Sequence, residues 1–375
     1  MPFSILVVDA YYAPLLRDFR AAHPGVYAEG YQESRRALLA ECFCGTADFY
    51  SKNLGVLGHA ATEVVVNDEV IQAQWARENG VRIWQPPVLD AAISHSRYLR
   101  RLLRSKDWLQ GILAKQVRSL RPDVLFFTQM AWCEPEFMRE MRPYVRLVVG
   151  QVASPMPAER YLRQCDLMLS SFPHYVERFR AMGIASEHLR WGFETTILDR
   201  LDGSRDDYGA VFVGGFSRAH EAGTAALERL ASEVGLDVWG YGVETLPLAS
   251  PLRRRFHGTA WGLQMYRIFR NARIVINRHI EVAEDCANNI RLYEATGVGA
   301  LLVTDHKSNL GELFDVGREI VSYNDPADLV EKVRYYLAHD DQREAIARAG
   351  QARTLQDHTF LGRMREFEQI VESYL

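Results

Sequence analysis

The richest chemistry in the chain lies between Asn288 and Asp305. It reads Asn288-Asn289-Ile290-Arg291-Leu292-Tyr293-Glu294-Ala295-Thr296-Gly297-Val298-Gly299, then Ala300-Leu301-Leu302-Val303-Thr304-Asp305. Asn288 or Asn289 is a good N-cap for a helix starting there, because a side-chain amide oxygen accepts from the free N–H groups of a first turn. Those N–H groups and the positive dipole end suit a diphosphate, and Arg291 would add a planar cation to it. Glu294 stands three residues on, on the same helix face, where a carboxylate can accept both hydroxyl protons of a ribose. Gly297 and Gly299 end the helix and turn it into a strand. Taken singly, the same residues make only a surface ion pair and a helix cap.

A second stretch, Val211-Phe212-Val213-Gly214-Gly215-Phe216-Ser217-Arg218-Ala219-His220, reads as a strand, two glycines and a helix start. Glycine lets a backbone approach an anion closely, so Gly214 and Gly215 form a phosphate-loop pattern without the full Gly-x-Gly-x-x-Gly or a Walker lysine. Arg218 sits in a first turn, where the dipole disfavours a cation unless an anion binds beside it. Asn277, Arg278 and His279 follow the apolar strand Ile274–Ile276, and Asp9 ends the strand that begins at Phe3. Cys42 and Cys44, two apart in an expected helix, point in different directions. No second Cys/His pair has zinc-site spacing, so no metal is expected.

These residues need elements to hold them. Strands are expected at Phe3–Asp9, Thr62–Val66, Asp123–Thr128, Arg146–Gly150 and Leu167–Ser170, with helices at Gln32–Leu57, Glu69–Glu78 and His95–Leu120. After a polar linker, Gly192–Tyr208, strands recur at Ala210–Val213, Asp237–Trp239, Ile274–Ile276, Ala300–Thr304 and Glu319–Tyr323, again alternating with helices. Such alternation implies parallel βαβ units and an α/β fold. Ligands are then expected at the carboxyl ends of the strands. The chain divides into 1–195, 196–358 and a terminal helix within 359–375.

The 375 residues include 44 Lys and Arg against 48 Asp and Glu, a formal charge of −4. That balance argues against a broad nucleic-acid surface while allowing a small basic pocket. The basic run Arg97–Lys106 reads as a solvated helix face. No run of ~18 apolar residues is present, so no transmembrane segment is expected. The N-terminus lacks a signal-peptide pattern. Five cysteines without a disulfide framework suit a reducing, cytoplasmic location.

The stretch around Asn289, Arg291, Tyr293, Glu294, Gly299 and Thr304-Asp305 resembles the donor-binding motif of GT-B glycosyltransferases of the group 1 type. It is most similar to the CgeB-like (spore maturation protein) branch. Gly311-Glu312-Leu313-Phe314, Glu319–Asp325, Asp357-His358-Thr359-Phe360 with Arg363, and more weakly Gly45–Ser51, continue the resemblance. It implies two Rossmann-like domains facing across a cleft, with an acceptor-binding half first, a nucleotide-sugar half second, and a C-terminal helix crossing back. It further implies that Arg218 or His220 meets the diphosphate, and that Gly240, Tyr241 and Gly242 lie beside the base. Their place after a strand on the cleft side makes Asn277, Arg278 and His279 expected donor contacts as well, and Asn288 and Asn289 join the expected donor site.

The activity so implied is transfer of a sugar from a nucleotide-diphosphate donor to an acceptor hydroxyl, in bacterial glycan biosynthesis, with no cofactor. Asp-x-Asp, with which GT-A enzymes hold a divalent ion, occurs nowhere in the chain, in keeping with metal independence. Many retaining GT-B enzymes carry a second Glu where this chain has Cys286, which leaves the stereochemistry open. Inverting transfer needs a base at the acceptor hydroxyl. Asp9 is best placed for it, with Asp48 and Glu134 behind, and Trp132 and Ser154–Pro157 shaping the pocket. His59 reads as a structural turn residue. Two alternatives are a nucleotide-sugar 2-epimerase of the same fold and a non-catalytic coat or assembly protein.

Overall fold

The computed structural model describes residues 1–42, 46–82, 107–201, 207–216 and 221–375. Two parallel sheets carry the fold. The first joins β1 (Ser4–Asp9), β2 (Ala60–Val65), β3 (Val124–Phe127), β4 (Leu147–Gln151), β5 (Leu167–Ser170) and β6 (Ala185–His188) in the order β2-β1-β3-β4-β5-β6. The second joins β7 (Tyr208–Gly215), β8 (Asp237–Tyr241), β9 (Ala272–Asn277), β10 (Leu301–Asp305) and β11 (Val321–Tyr323) in the order β11-β10-β9-β7-β8. Ile5–Val8 and Val124–Phe127 are at most 2% exposed, because helices cover both faces of such a sheet and leave no polar side. In each sheet the order reverses beside the first strand, between β1 and β3 and between β7 and β9. That reversal opens a crevice at the strands' carboxyl ends.

The expected single helix from Gln32 to Leu57 is two helices, Tyr31–Cys42 and Phe49–Val56. Between them Ala47 takes a φ of 42°, which an α-helix cannot contain. Of the helix expected at His95–Leu120, Asp107–Leu120 is present and the basic run Arg97–Lys106 lies outside the described residues. No helix among the described residues is long and apolar enough to cross a membrane.

The last helix, Phe360–Glu372, is capped by Thr359 Oγ1, which accepts from Gly362 N at 3.1 Å. It packs on the first half: Phe360 stands edge-on to Tyr50 at 5.2 Å, and Phe367 lies 5.4 Å from Phe126. His59 is structural, as expected; Nδ1 accepts from Phe3 N, and Nε2 is 2.9 Å from Glu368 on the crossing helix. Phe193 and Thr359 form a β-bridge where the chain passes between the halves. One hydrophobic cluster therefore runs from Ile5 and Phe126 through Phe193 and Phe360 to Tyr266 and Leu292.

Candidate active site

At the crevice of the second sheet lies a cavity of about 280 Å³, walled by Gly214, Gly215, Gly240, Tyr241, Trp261, Met265, Ile290, Arg291 and Glu294, with Tyr12 from the first half. A smaller one of about 160 Å³ adjoins it, sharing Gly214, Gly215 and Arg291 and adding Asn277, Arg278 and Asn289. The strand pairing explains the convergence. Gly214 faces Gly240 across β7 and β8, and a Cβ on Gly240 would stand 1.9 Å from Gly214 O. Gly240 also has a φ of +138°, open essentially to glycine alone. The two strand ends therefore meet in bare backbone.

Glu294 is 4% exposed. Its Oε1 accepts from the Tyr266 hydroxyl at 3.0 Å, and its Oε2 pairs with Arg291. The Arg291 guanidinium also lies 4.7 Å from the Phe269 ring centre. The ion pair read from the sequence is present, but it forms a cavity wall and is no surface feature. Both partners must exchange contacts before Arg291 meets a phosphate or Glu294 a ribose.

The helix carrying them is Arg291–Gly297, and neither asparagine caps it; Ile290 holds the N-cap position without a side-chain bond. Instead Asn289 Nδ2 donates to Asn277 Oδ1 at 2.7 Å, and Asn277 Nδ2 donates to Thr304 Oγ1 at 2.9 Å. Asn288 does not line either cavity. It ties the halves together, Nδ2 donating to Ser171 O at 2.6 Å. His279 is turned away as well, its N and Nδ1 both bound to Asp305 Oδ1, at 3.0 and 2.7 Å. Burial alone would raise the Asp305 carboxyl, but the His279 hydrogen bonds and the Lys307 charge hold it below the usual range. Arg218 and His220 lie outside the described residues.

Arg278 has a larger part than its neighbours. It is 6% exposed, donates to Gly215 O at 2.9 Å and Thr224 Oγ1 at 2.7 Å, and lies 5.1 Å from the Phe212 ring. Burial lowers its pKa to about 10. It therefore braces the glycine turn from below. Sequence reasoning missed Tyr12 and Trp261. Their rings stack at 5.6 Å across the cleft, and Trp261 stacks on Tyr241 at 5.9 Å. The available signals were slight, a tryptophan just before a helix and a tyrosine in the loop after β1.

Above the first sheet lies a cavity of about 480 Å³, lined by Asp9, Thr46, Thr128, Gln151, Ser154, Pro155, Pro157, Tyr161 and Trp191 among others. Asp9 is 7% exposed, and its Oδ1 accepts from Thr128 Oγ1 at 2.7 Å and Ala10 N at 2.8 Å. Burial outweighs those bonds and raises its pKa to about 6. Asp48, Glu134 and Trp132 do not line the cavity; Asp48 pairs with Lys52 at 3.4 Å, and Trp132 is buried in the core.

Comparison with known proteins supplies context. A family model described as glycosyl transferase-like matches residues 220–369. The structure of Anabaena Alr3699/HepE in complex with UDP-glucose is similar at a TM-score of 0.60 and 12% identity, covering 99% of this chain and 100% of that one. Sucrose-phosphate synthase from Thermosynechococcus elongatus gives 0.58 and 11%, covering 98% of each chain. A glycosyltransferase from Rickettsia africae gives 0.56 and 11%, covering 100% of this chain and 98% of that one. No curated protein matches by sequence. The chain has the GT-B fold.

Proposed function

We propose that this GT-B chain is a metal-independent glycosyltransferase of the hexosyl type, using a nucleotide-diphosphate sugar as donor and an acceptor hydroxyl. The observation that carries the reading is the glycine-walled cavity of the second sheet, with Arg291 and Glu294 in its wall and Tyr12 of the opposite half beside it. The family match over the same half and the UDP-glucose held by HepE support a nucleotide sugar there. In this reading Tyr241 and Trp261 flank the base, Glu294 takes the ribose hydroxyls, and Gly214 and Gly215 bring backbone close to the diphosphate. Gly240, Asn277, Asn289 and Arg291 complete that site, together with Arg218 and His220. On motif alone we place the chain near the CgeB-like branch.

The acceptor oxygen attacks the anomeric carbon, its proton passes to Asp9, and the bond from that carbon to the diphosphate oxygen breaks. The departing charge is met by arginine in place of a metal ion, as electrostatic stabilisation of a leaving group requires. Titration with nucleoside diphosphates tests the reading, and donor hydrolysis without acceptor separates an enzyme from a binding module.

A further inference from the structure

The cavity above the first sheet has in its lining a buried polar side chain with an unsatisfied end. Gln151 is 3% exposed. Its Oε1 accepts from the Tyr50 hydroxyl at 2.7 Å, which fixes the amide and leaves Nε2 as a donor with no partner among the described residues. Asp9 uses Oδ1 for Thr128 and Ala10, which leaves Oδ2 to accept. One waiting donor and one waiting acceptor on a shared wall match hydroxyl groups, which both give and take hydrogen bonds. Pro155, Pro157, Tyr161 and Trp191 add apolar surface of the kind that packs on the C–H face of a sugar ring.

Charge narrows the class further. Among the described residues lining this cavity Asp9 is the carboxylate, and there is no Lys, Arg or His. Arg160 lies outside it, 4.6 Å from the Tyr161 ring centre and donating to that hydroxyl at 2.8 Å. A phosphate or carboxylate bound inside would meet the like charge of Asp9, and among the described residues the cavity's own lining supplies no cation to offset it. The location also fits transfer. Asp9 and Tyr12, which face the two cavities, are three residues apart, so their Cα atoms are within about 10 Å of each other.

We infer that this cavity takes an uncharged, polyhydroxylated acceptor, a sugar or a glycoside, and discriminates against phosphorylated and carboxylated ones. The word acceptor rests on the transferase reading; the binding chemistry does not. Saturation-transfer NMR with the full chain tests it, in the presence of UDP. The probes are the methyl glycosides of glucose, galactose, mannose and N-acetylglucosamine, each against its 6-phosphate.

At least one neutral glycoside should bind, and its phosphate should bind about ten-fold more weakly or worse. Gln151→Glu keeps an acceptor for Tyr50 but loses the donor, and should weaken the glycoside by about ten-fold while leaving UDP affinity unchanged. Phosphates binding as tightly as the neutral sugars, no neutral glycoside binding at about 50 mM, or a folded Gln151→Glu protein with unchanged affinity would each overturn the inference. The wild-type comparison stands whether or not the variant folds. Nucleotide binding with the charge preference reversed would sink the acceptor class alone. Glycoside binding without any nucleotide binding would sink the transferase reading alone.

Discussion

Arg291 and Glu294, one helical turn apart, neutralise each other in the wall of the cavity proposed for the donor, and Tyr266 holds the second carboxylate oxygen at 3.0 Å. A nucleotide bound there as proposed would have to exchange contacts with a pre-formed ion pair. Glu294→Ala should weaken nucleotide binding by about ten-fold or more in calorimetry. It also leaves Arg291 without its counter-charge, and stability should fall by about 3 kcal/mol in urea melts. Unchanged nucleotide affinity in the folded variant would remove Glu294 from the site.

Asp9, proposed as the base, also bears on stability. Its carboxyl is raised by burial from 3.8 to about 6, so its contribution to stability is full below about pH 4 and lost as pH rises through 6. A shift of that size corresponds to about 3 kcal/mol. Asp9→Asn should therefore melt higher than the wild type at pH 8, with the advantage shrinking toward pH 4. Glu63, pushed by burial to about 7, imposes a similar slope on both proteins. Only the difference between them reports on Asp9, and a difference independent of pH would contradict its burial as a charge.

The pH dependence of turnover should run the opposite way. If Asp9 accepts the acceptor proton, activity is present above pH 6 and falls as the carboxyl becomes protonated below it. Asp9→Asn should lose transfer at every pH while keeping nucleotide affinity. Turnover should also survive EDTA; inactivation restored by a divalent ion would reverse the metal-free proposal.

Gly240 makes a sharper backbone test. A methyl group there would stand 1.9 Å from Gly214 O at a φ of +138°, whereas one on Gly209 would meet only Leu337 Cδ2 at 3.8 Å. Gly240→Ala should cost about 3 kcal/mol or more, or prevent folding, with Gly209→Ala near neutral. Equal melting temperatures for the two variants would mean that the strand ends are not packed this closely.

How much of this could be read from the sequence depended on burial. Strands such as Ile5–Val8 and Leu301–Val303 are covered on both faces and so stand out as unbroken apolar runs. In the edge strand β6, Ala-Ser-Glu-His, three of the four residues are polar, and it gave no such signal. The break at Ala47 was equally hidden, because apolar spacing continued on both sides of it. At the site, Gly214, Gly215, Gly240, Tyr241, Arg291 and Glu294 came together because the strand-end rule places them there. Direction was the part that could not be read. His279 turns to Asp305, and Asn288 to Ser171, because the strand and loop next to each supply a better partner. Gln151 has no motif around it, and only its pairing with Tyr50 shows which end of its amide is left over.

The most direct measurement is calorimetry on the full chain with UDP, GDP, TDP and CMP, repeated with Glu294→Ala. A donor site in the second half predicts saturable, one-to-one binding of one preferred nucleoside diphosphate, weakened in the variant and indifferent to EDTA. No binding of UDP, GDP or TDP at millimolar concentration, by a protein shown to be folded, would contradict the transferase reading outright.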